Sequence, residues 1–169
     1  RLPAARLLER RGHRRTRVVS ASADARRDAW LEDWRAASSP QAQAALLSFP
    51  WADRACASEA LADACARSDG AAVETLLSAG ADVHTADSWG WTPLISASRH
   101  GCVRAVRACL AAGADVNAVC RMRWSSLMRA SRYNHTDVVS ALVEAGADVD
   151  VSDRRGHTAV LLAAREGSE

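Results

Sequence analysis

Lysine is absent from this 169-residue chain, whose 22 basic residues are all arginine. Phenylalanine and tyrosine occur once each, and no apolar run approaches the ~18 residues that a membrane-spanning helix requires. A span of that kind is excluded. Glycine (9) and proline (4) are too sparse for a collagen-like or low-complexity chain. The five cysteines, Cys56, Cys65, Cys102, Cys109 and Cys120, form an odd set without a Cys-x-x-Cys pair. They indicate neither a disulfide framework nor a zinc ribbon, and they suit a reducing compartment. No glycine-rich loop of the phosphate-cradling kind is present.

What the chain has in quantity is alanine, 37 residues of it, in a composition 49% hydrophobic and 25% charged. Such a mixture reads as helical, and the length allows one compact domain or a short array of repeats. The net charge of +2 conceals a division. Residues 1–27 carry nine Arg against Glu9 and Asp24, a net +7, whereas 28–169 carry thirteen Arg against eighteen acids, a net −5.

Internal repetition organises most of the sequence. Gly80-Ala81-Asp82-Val83, Gly113-Ala114-Asp115-Val116 and Gly146-Ala147-Asp148-Val149 recur every 33 residues. The same step aligns Leu61, Leu94, Leu127 and Val160, then Ala64, Ala97, Ala130 and Ala163, then Val73, Val106 and Val139, and then Leu77, Leu110 and Val143. Within one unit, Thr92 suits a helix N-cap and Pro93 the first turn, where a missing N–H costs nothing. Gly101 lets the chain turn, and Gly113 supplies a helix C-terminus that favours a left-handed backbone. Each unit therefore reads as helix, turn, helix, connection. Helices of about ten residues are not stable alone in water, so stacked neighbours must supply the core.

The run Asp87-Ser88-Trp89-Gly90-Trp91-Thr92-Pro93-Leu94, followed by Ala97 and Gly101 and closed by Gly113-Ala114-Asp115-Val116-Asn117-Ala118, resembles the ankyrin repeat. The resemblance covers about residues 54–169 and leaves 1–53 outside. It implies an all-α solenoid of helix-turn-helix units joined by short β-hairpin connections. The expected units are a capping repeat at about 54–86, repeats at 87–119 and 120–152, and a truncated one at 153–169. Because the fourth unit stops after one helix and the chain starts at Arg1, a longer natural protein is expected, or another chain over the open end.

Departures from the family pattern carry their own expectations. Ile95, Met128 and Leu161 replace the family's His after Thr-Pro-Leu, which removes a Thr–His hydrogen bond and predicts less rigid repeats. In the third unit Cys120, Arg123 and Ser126 stand where Asp, Gly and Pro are usual, so Arg123 is expected to carry backbone strain. The first unit lacks the hairpin signature and has Ser68 for the turn glycine.

The segment 1–27, with Val18-Val19-Ser20-Ala21-Ser22-Ala23 near its end, looks like an organelle transit peptide or a disordered basic arm. The first reading places the protein in a chloroplast or mitochondrion, the second in the cytoplasm or nucleus. Nucleic-acid contact through its arginines is a third reading, disfavoured because no aromatic residue interleaves residues 1–17. Residues 28–53 read as a helical lead-in. Asp24 to Ala37 puts Trp30, Leu31 and Trp34 on one helical face that can pack over the first repeat, and a second short helix is expected near 41–48.

No catalytic constellation emerges. His84, Asn117 and Asp150 occupy one slot in three repeats, which is not how a triad is built, and His100, Cys102 and His135 lack four-ligand zinc spacing. Cys109 shares a slot with Leu76 and Leu142 and reads as a small core hydrophobe. No cofactor, metal or small-molecule substrate is expected, and the chain is read as non-enzymatic.

What remains is recognition. The resemblance implies that partners bind the hairpin tips and the concave face of the first helices. Those positions hold Ser88, Trp89, Trp91, Arg99 and His100 in the second repeat, and Arg121, Met122, Trp124, Arg132 and Tyr133 in the third. In the fourth they hold Arg154, Arg155, His157, Arg165 and Glu166. Arg99, Arg132 and Arg165 share one slot, and Trp91 and Trp124 another. Trp, Tyr and Arg dominate interface energetics, and arginine forks hold carboxylates and phosphates bidentately. The expected partner is a protein with an acidic or phosphorylated segment. The competing roles are hairpin tryptophans that pack on adjacent hairpins, and arginines that pair with Asp87 or Asp153. Two other functional readings are a regulatory or targeting part of a longer enzyme and a nucleic-acid-associated factor using the arginine-rich arm.

Overall fold

The computed structural model describes residues 23–37, 46 and 54–167. Most of the basic segment 1–27 and nearly all of the helix expected near 41–48 lie outside them. Helix α1 spans Ala23–Ala36. Three helix pairs follow: α2 (Arg54–Ala66) with α3 (Gly70–Ser78), α4 (Pro93–Arg99) with α5 (Val103–Ala111), and α6 (Ser126–Arg132) with α7 (Thr136–Glu144). A last helix, α8, covers Ala159–Arg165.

The helices begin where hydroxyls and carboxylates can hold their first free N–H groups. The side chains of Thr92, Ser125 and Thr158 accept from the amides of Ile95, Met128 and Leu161, and Asp69 accepts from Ala72. The caps thus form without the family's histidine, and its place is taken in two repeats by Ile95 and Met128, both fully buried. The second helices end on Gly80, Gly113 and Gly146, with φ of +89°, +86° and +87°. Their period follows from the scarcity of other residues that adopt this conformation readily. Arg123 does adopt it, at φ +61°, in the turn position held by Gly90 (+75°) and Gly156 (+80°) in the flanking repeats.

First helices pack on first helices (α2 on α4, α4 on α6, α6 on α8) and second on second (α3 on α5, α5 on α7). One continuous core results. Leu61, Leu94, Ala64, Ala97, Ala130, Val73, Val106, Leu76, Cys109 and Leu142 are all fully buried in it. The columns end abruptly: Val160, in the slot of Leu61 and Leu94, is 69% exposed, and Leu161 is 50% exposed.

The connections are tighter than hairpins. Among the described residues there is no strand, and a single isolated antiparallel bridge joins Val119 to Ser125. Each tip is a turn closed by two backbone bonds: Asp87 N–H to Trp91 O and Gly90 N–H to Asp87 O in the first, with the same pairs at Cys120, Arg123 and Trp124 and at Asp153, Gly156 and His157. At the N-terminal end, Trp30 and Trp34 are buried and stack with centroids 5.4 Å apart. The Trp30 indole donates to the carbonyl of Leu46 at 3.0 Å, and Arg35 meets Asp63 of α2 at 3.2 Å.

Candidate functional site

The turn between α3 and α4 is braced by one carboxylate oxygen. Asp87 Oδ1 accepts from the amides of Trp89 and Trp91, both at 2.8 Å. Asp153 repeats the arrangement with the amides of Arg155 and His157 and adds the imidazole, whose Nδ1 lies 3.1 Å from Oδ2. Burial raises the Asp153 pKa, but the amides of His157 and Arg155 and the imidazole outweigh it and hold the carboxyl below its usual range. These acids serve the backbone, so pairing with exposed arginine, one of the roles expected for Arg residues on this face, is not their use. The third turn has Cys120 at this position, a buried free cysteine.

On the turns and first helices, guanidinium groups and aromatic rings lie against one another. Arg99 sits over Trp91 at 5.1 Å from the ring centre and over Tyr133 at 5.9 Å. Arg129 lies 4.5 Å from Trp91 and 4.4 Å from Trp124. Arg132 lies 5.3 Å from Trp124, and its Nε is 3.9 Å from Glu166, the residue that caps the end of α8. The negative faces of the rings attract the cations, and one turn is thereby joined to the next through alternating charge and π-surface.

Most of the residues expected on this face lie together, and two of them are turned inward. Trp124, expected as a contact residue, is 7% exposed; the arginines and the neighbouring turn cover it, so it acts mainly as a support. His157, expected to face a partner, is half-buried and tied to Asp153. The third position of the tryptophan column is thus an imidazole bound to an acid, and Arg165, exposed at the end of α8, has no ring beneath it among the described residues. The residue that was missed is Arg129. Its column holds Asp63, Ser96 and Leu162, so periodicity gave it no place; the available signal was a cation in a column with no other basic residue.

Arg129 is 8% exposed, and its Nε has no hydrogen-bond partner. Burial pulls its pKa below the usual arginine value, against the opposing effect of the Cys120 thiol and Tyr133, with Arg99 adding to the lowering. The exposed remainder of the face consists of Trp89 (65% exposed), Met122 (58%), Tyr133 (42%), Arg99, Arg121, Arg132, Arg154 and Arg155. His100 is exposed at the end of α4. Its pKa is lowered, first by the burial of its ring and then by Arg99 and His135. His135 Nε2 lies 3.0 Å from the Arg99 carbonyl, which fixes the backbone beneath the first guanidinium.

Among the described residues no group of three or more His, Cys, Asp or Glu side chains could hold a metal ion, and no helix is long and apolar enough to cross a membrane. No curated protein matches the chain. A family profile for ankyrin repeats, three copies, matches residues 61–153, more than half of the chain. The 33-residue period, the paired helices and this match agree: the chain belongs to the ankyrin-repeat family, whose repeats generally serve as protein-interaction modules and are typically non-enzymatic.

Proposed function

We propose that the protein is a non-enzymatic interaction module that holds a partner protein against the turn tips and the first helices of its second to fourth repeats, and that the bound segment is acidic or phosphorylated. The observation that carries this reading is the alternation of Arg99, Trp91, Arg129, Trp124 and Arg132. Two rings restrict Arg99 and Arg129 and one restricts Arg132, so little rotamer freedom is lost when they meet a partner. Around them Trp89, Met122 and Tyr133 offer apolar surface, and the arginine edges favour carboxylate or phosphate.

The test is affinity capture from native lysate with the full chain and with a variant carrying Trp89→Ala, Arg99→Ala and Arg132→Ala, three positions whose side chains reach the surface. Equal helicity is checked first by circular dichroism. Proteins retained by the native chain and lost by the variant are the expected result. An identical set from both would place recognition on another face.

A further inference from the structure

Arg99 and Arg129 share the ring of Trp91, and no carboxylate among the described residues forms an ion pair with either. Other arginines of the chain find acids. Arg104 binds Glu74 through two bonds of 2.7 and 2.6 Å, Arg35 and Arg67 both meet Asp63, and Arg132 has Glu166. The base of the third turn brings no negative charge near Arg129 either: where the adjacent turns carry Asp87 and Asp153 stands Cys120, a buried cysteine in contact with Arg129.

A buried cation without a counter-ion is costly, and a second cation beside it adds repulsion. An anion that binds only the folded chain recovers that cost as affinity. Each of these guanidiniums lies against two rings, and the Nε of Arg129, enclosed by its neighbours, meets no acceptor among the described residues. Two adjacent cations match a group of nearly two negative charges with three acceptor oxygens, which a phosphate monoester is and a carboxylate is not. The rings of Trp91 and Trp124 carry guanidiniums where a nucleic-acid ligand would need bare faces for its bases.

We propose that Arg99 and Arg129, flanking Trp91, form the seat of one phosphorylated side chain of the partner protein. This rests on the interaction-module reading above and specifies its anion.

The experiment follows the indole N–H and arginine Nε–H resonances of the full chain during titration with N-acetyl-O-phosphoserine amide, N-acetylaspartate amide or a five-nucleotide oligouridylate. The expected result is a saturable shift at Trp91 with the phosphate probe, about tenfold tighter than with the aspartate probe, while Trp30 and Trp34 stay fixed. Binding falls about tenfold in Arg99→Ala, is lost in Arg129→Met, and is unchanged in Arg107→Ala, an exposed position on α5. If Arg129→Met fails to fold, the exposed Arg99 variant decides. Equal affinity for the aspartate probe, no saturable shift, indifference to Arg99→Ala, or tighter uridylate binding would each overturn the seat. A chain that takes up the phosphate probe but captures the same proteins with and without its surface residues would overturn the interaction reading instead.

Discussion

The guanidinium of Arg129 lies 4.4 Å from the centre of the Trp124 ring, and both side chains are buried, at 8% and 7% exposure. Each accounts for the other: the ring is the surface on which the cation rests, and the cation closes the ring from solvent.

Removing the ring should therefore cost more than its volume. Trp124→Ala is expected to lower stability by about 3–5 kcal/mol, the range for a buried aromatic truncated to alanine, and to strip one face from a buried charge. Adding Arg129→Met should restore about 1 kcal/mol through the coupling between the two positions. Urea unfolding of the two single variants and the double variant measures that coupling, and strictly additive losses would show that the ring and the cation are independent.

Substitutions at equivalent turn positions should move stability in opposite directions. Arg123 holds φ +61° where Gly90 and Gly156 serve the neighbours, at a cost of roughly 1–2 kcal/mol for a side-chain-bearing residue. Arg123→Gly is expected to gain about 1 kcal/mol despite losing the 3.3 Å bond from its Nε to the Ser152 carbonyl. Gly90→Ala should destabilise, because its Cβ would stand 3.2 Å from the Arg121 amide nitrogen at φ +75°. Thermal midpoints of the two variants on opposite sides of the native value are the predicted outcome.

The buried thiols should make stability fall in alkali. A hydrogen bond with Cys109, followed by burial, pushes the Cys65 pKa far above the ordinary thiol range. The folded chain then keeps a proton that the unfolded chain gives up near pH 8.5. The contribution is complete below that pH and declines as pH rises above it, with proton release on unfolding. Denaturation midpoints from pH 7 to 10 should fall in the native chain and fall less in Cys65→Ala. In the folded chain at pH 8, iodoacetamide should reach Cys102, the least buried of the five, before Cys56, Cys65, Cys109 or Cys120. Peptide mass mapping reads the order.

Acid should act first on the fourth turn. Asp153 has a lowered carboxyl pKa, so its stabilisation is present above the unfolded value near pH 3.9 and disappears as pH falls through the lower folded value. Asp153→Asn keeps the size, removes the charge and should free the turn. Amide exchange at Arg155 and His157 is expected to speed up at neutral pH in the variant, while that at Trp89 and Trp91, held by Asp87, does not change. Equal exchange in native chain and variant would count against the carboxylate as the brace.

Much of the architecture was legible along the chain because its causes are local. Thr92, Pro93, Gly101 and Gly113 act through φ and through their own hydroxyl or missing N–H, and a fixed period multiplies one such unit into a stack. Arg123 announced its left-handed backbone for the same reason. The pairing of rings with arginines was only half legible. Columns 33 residues apart placed Arg99 with Arg132 and Trp91 with Trp124, because stacking keeps a slot on one face. No other basic residue shares the column of Arg129, and no pattern said that Trp124 would be covered.

Those facts are set by contacts between repeats. Whether a guanidinium is solvated or lies between two indoles depends on the distance from one turn to the next, and that distance follows from how Leu94, Leu127 and their neighbours close the core. Likewise Asp153 holds His157 only because the turn brings residues four apart within 3.1 Å. Helix starts, left-handed turns and the repeat period belong to short stretches of chain, where propensity and sterics act directly. The burial of Arg129, the support role of Trp124 and the missing counter-ion beside Cys120 belong to the packed stack, since burial and electrostatic environment are properties of neighbours that the sequence keeps far apart.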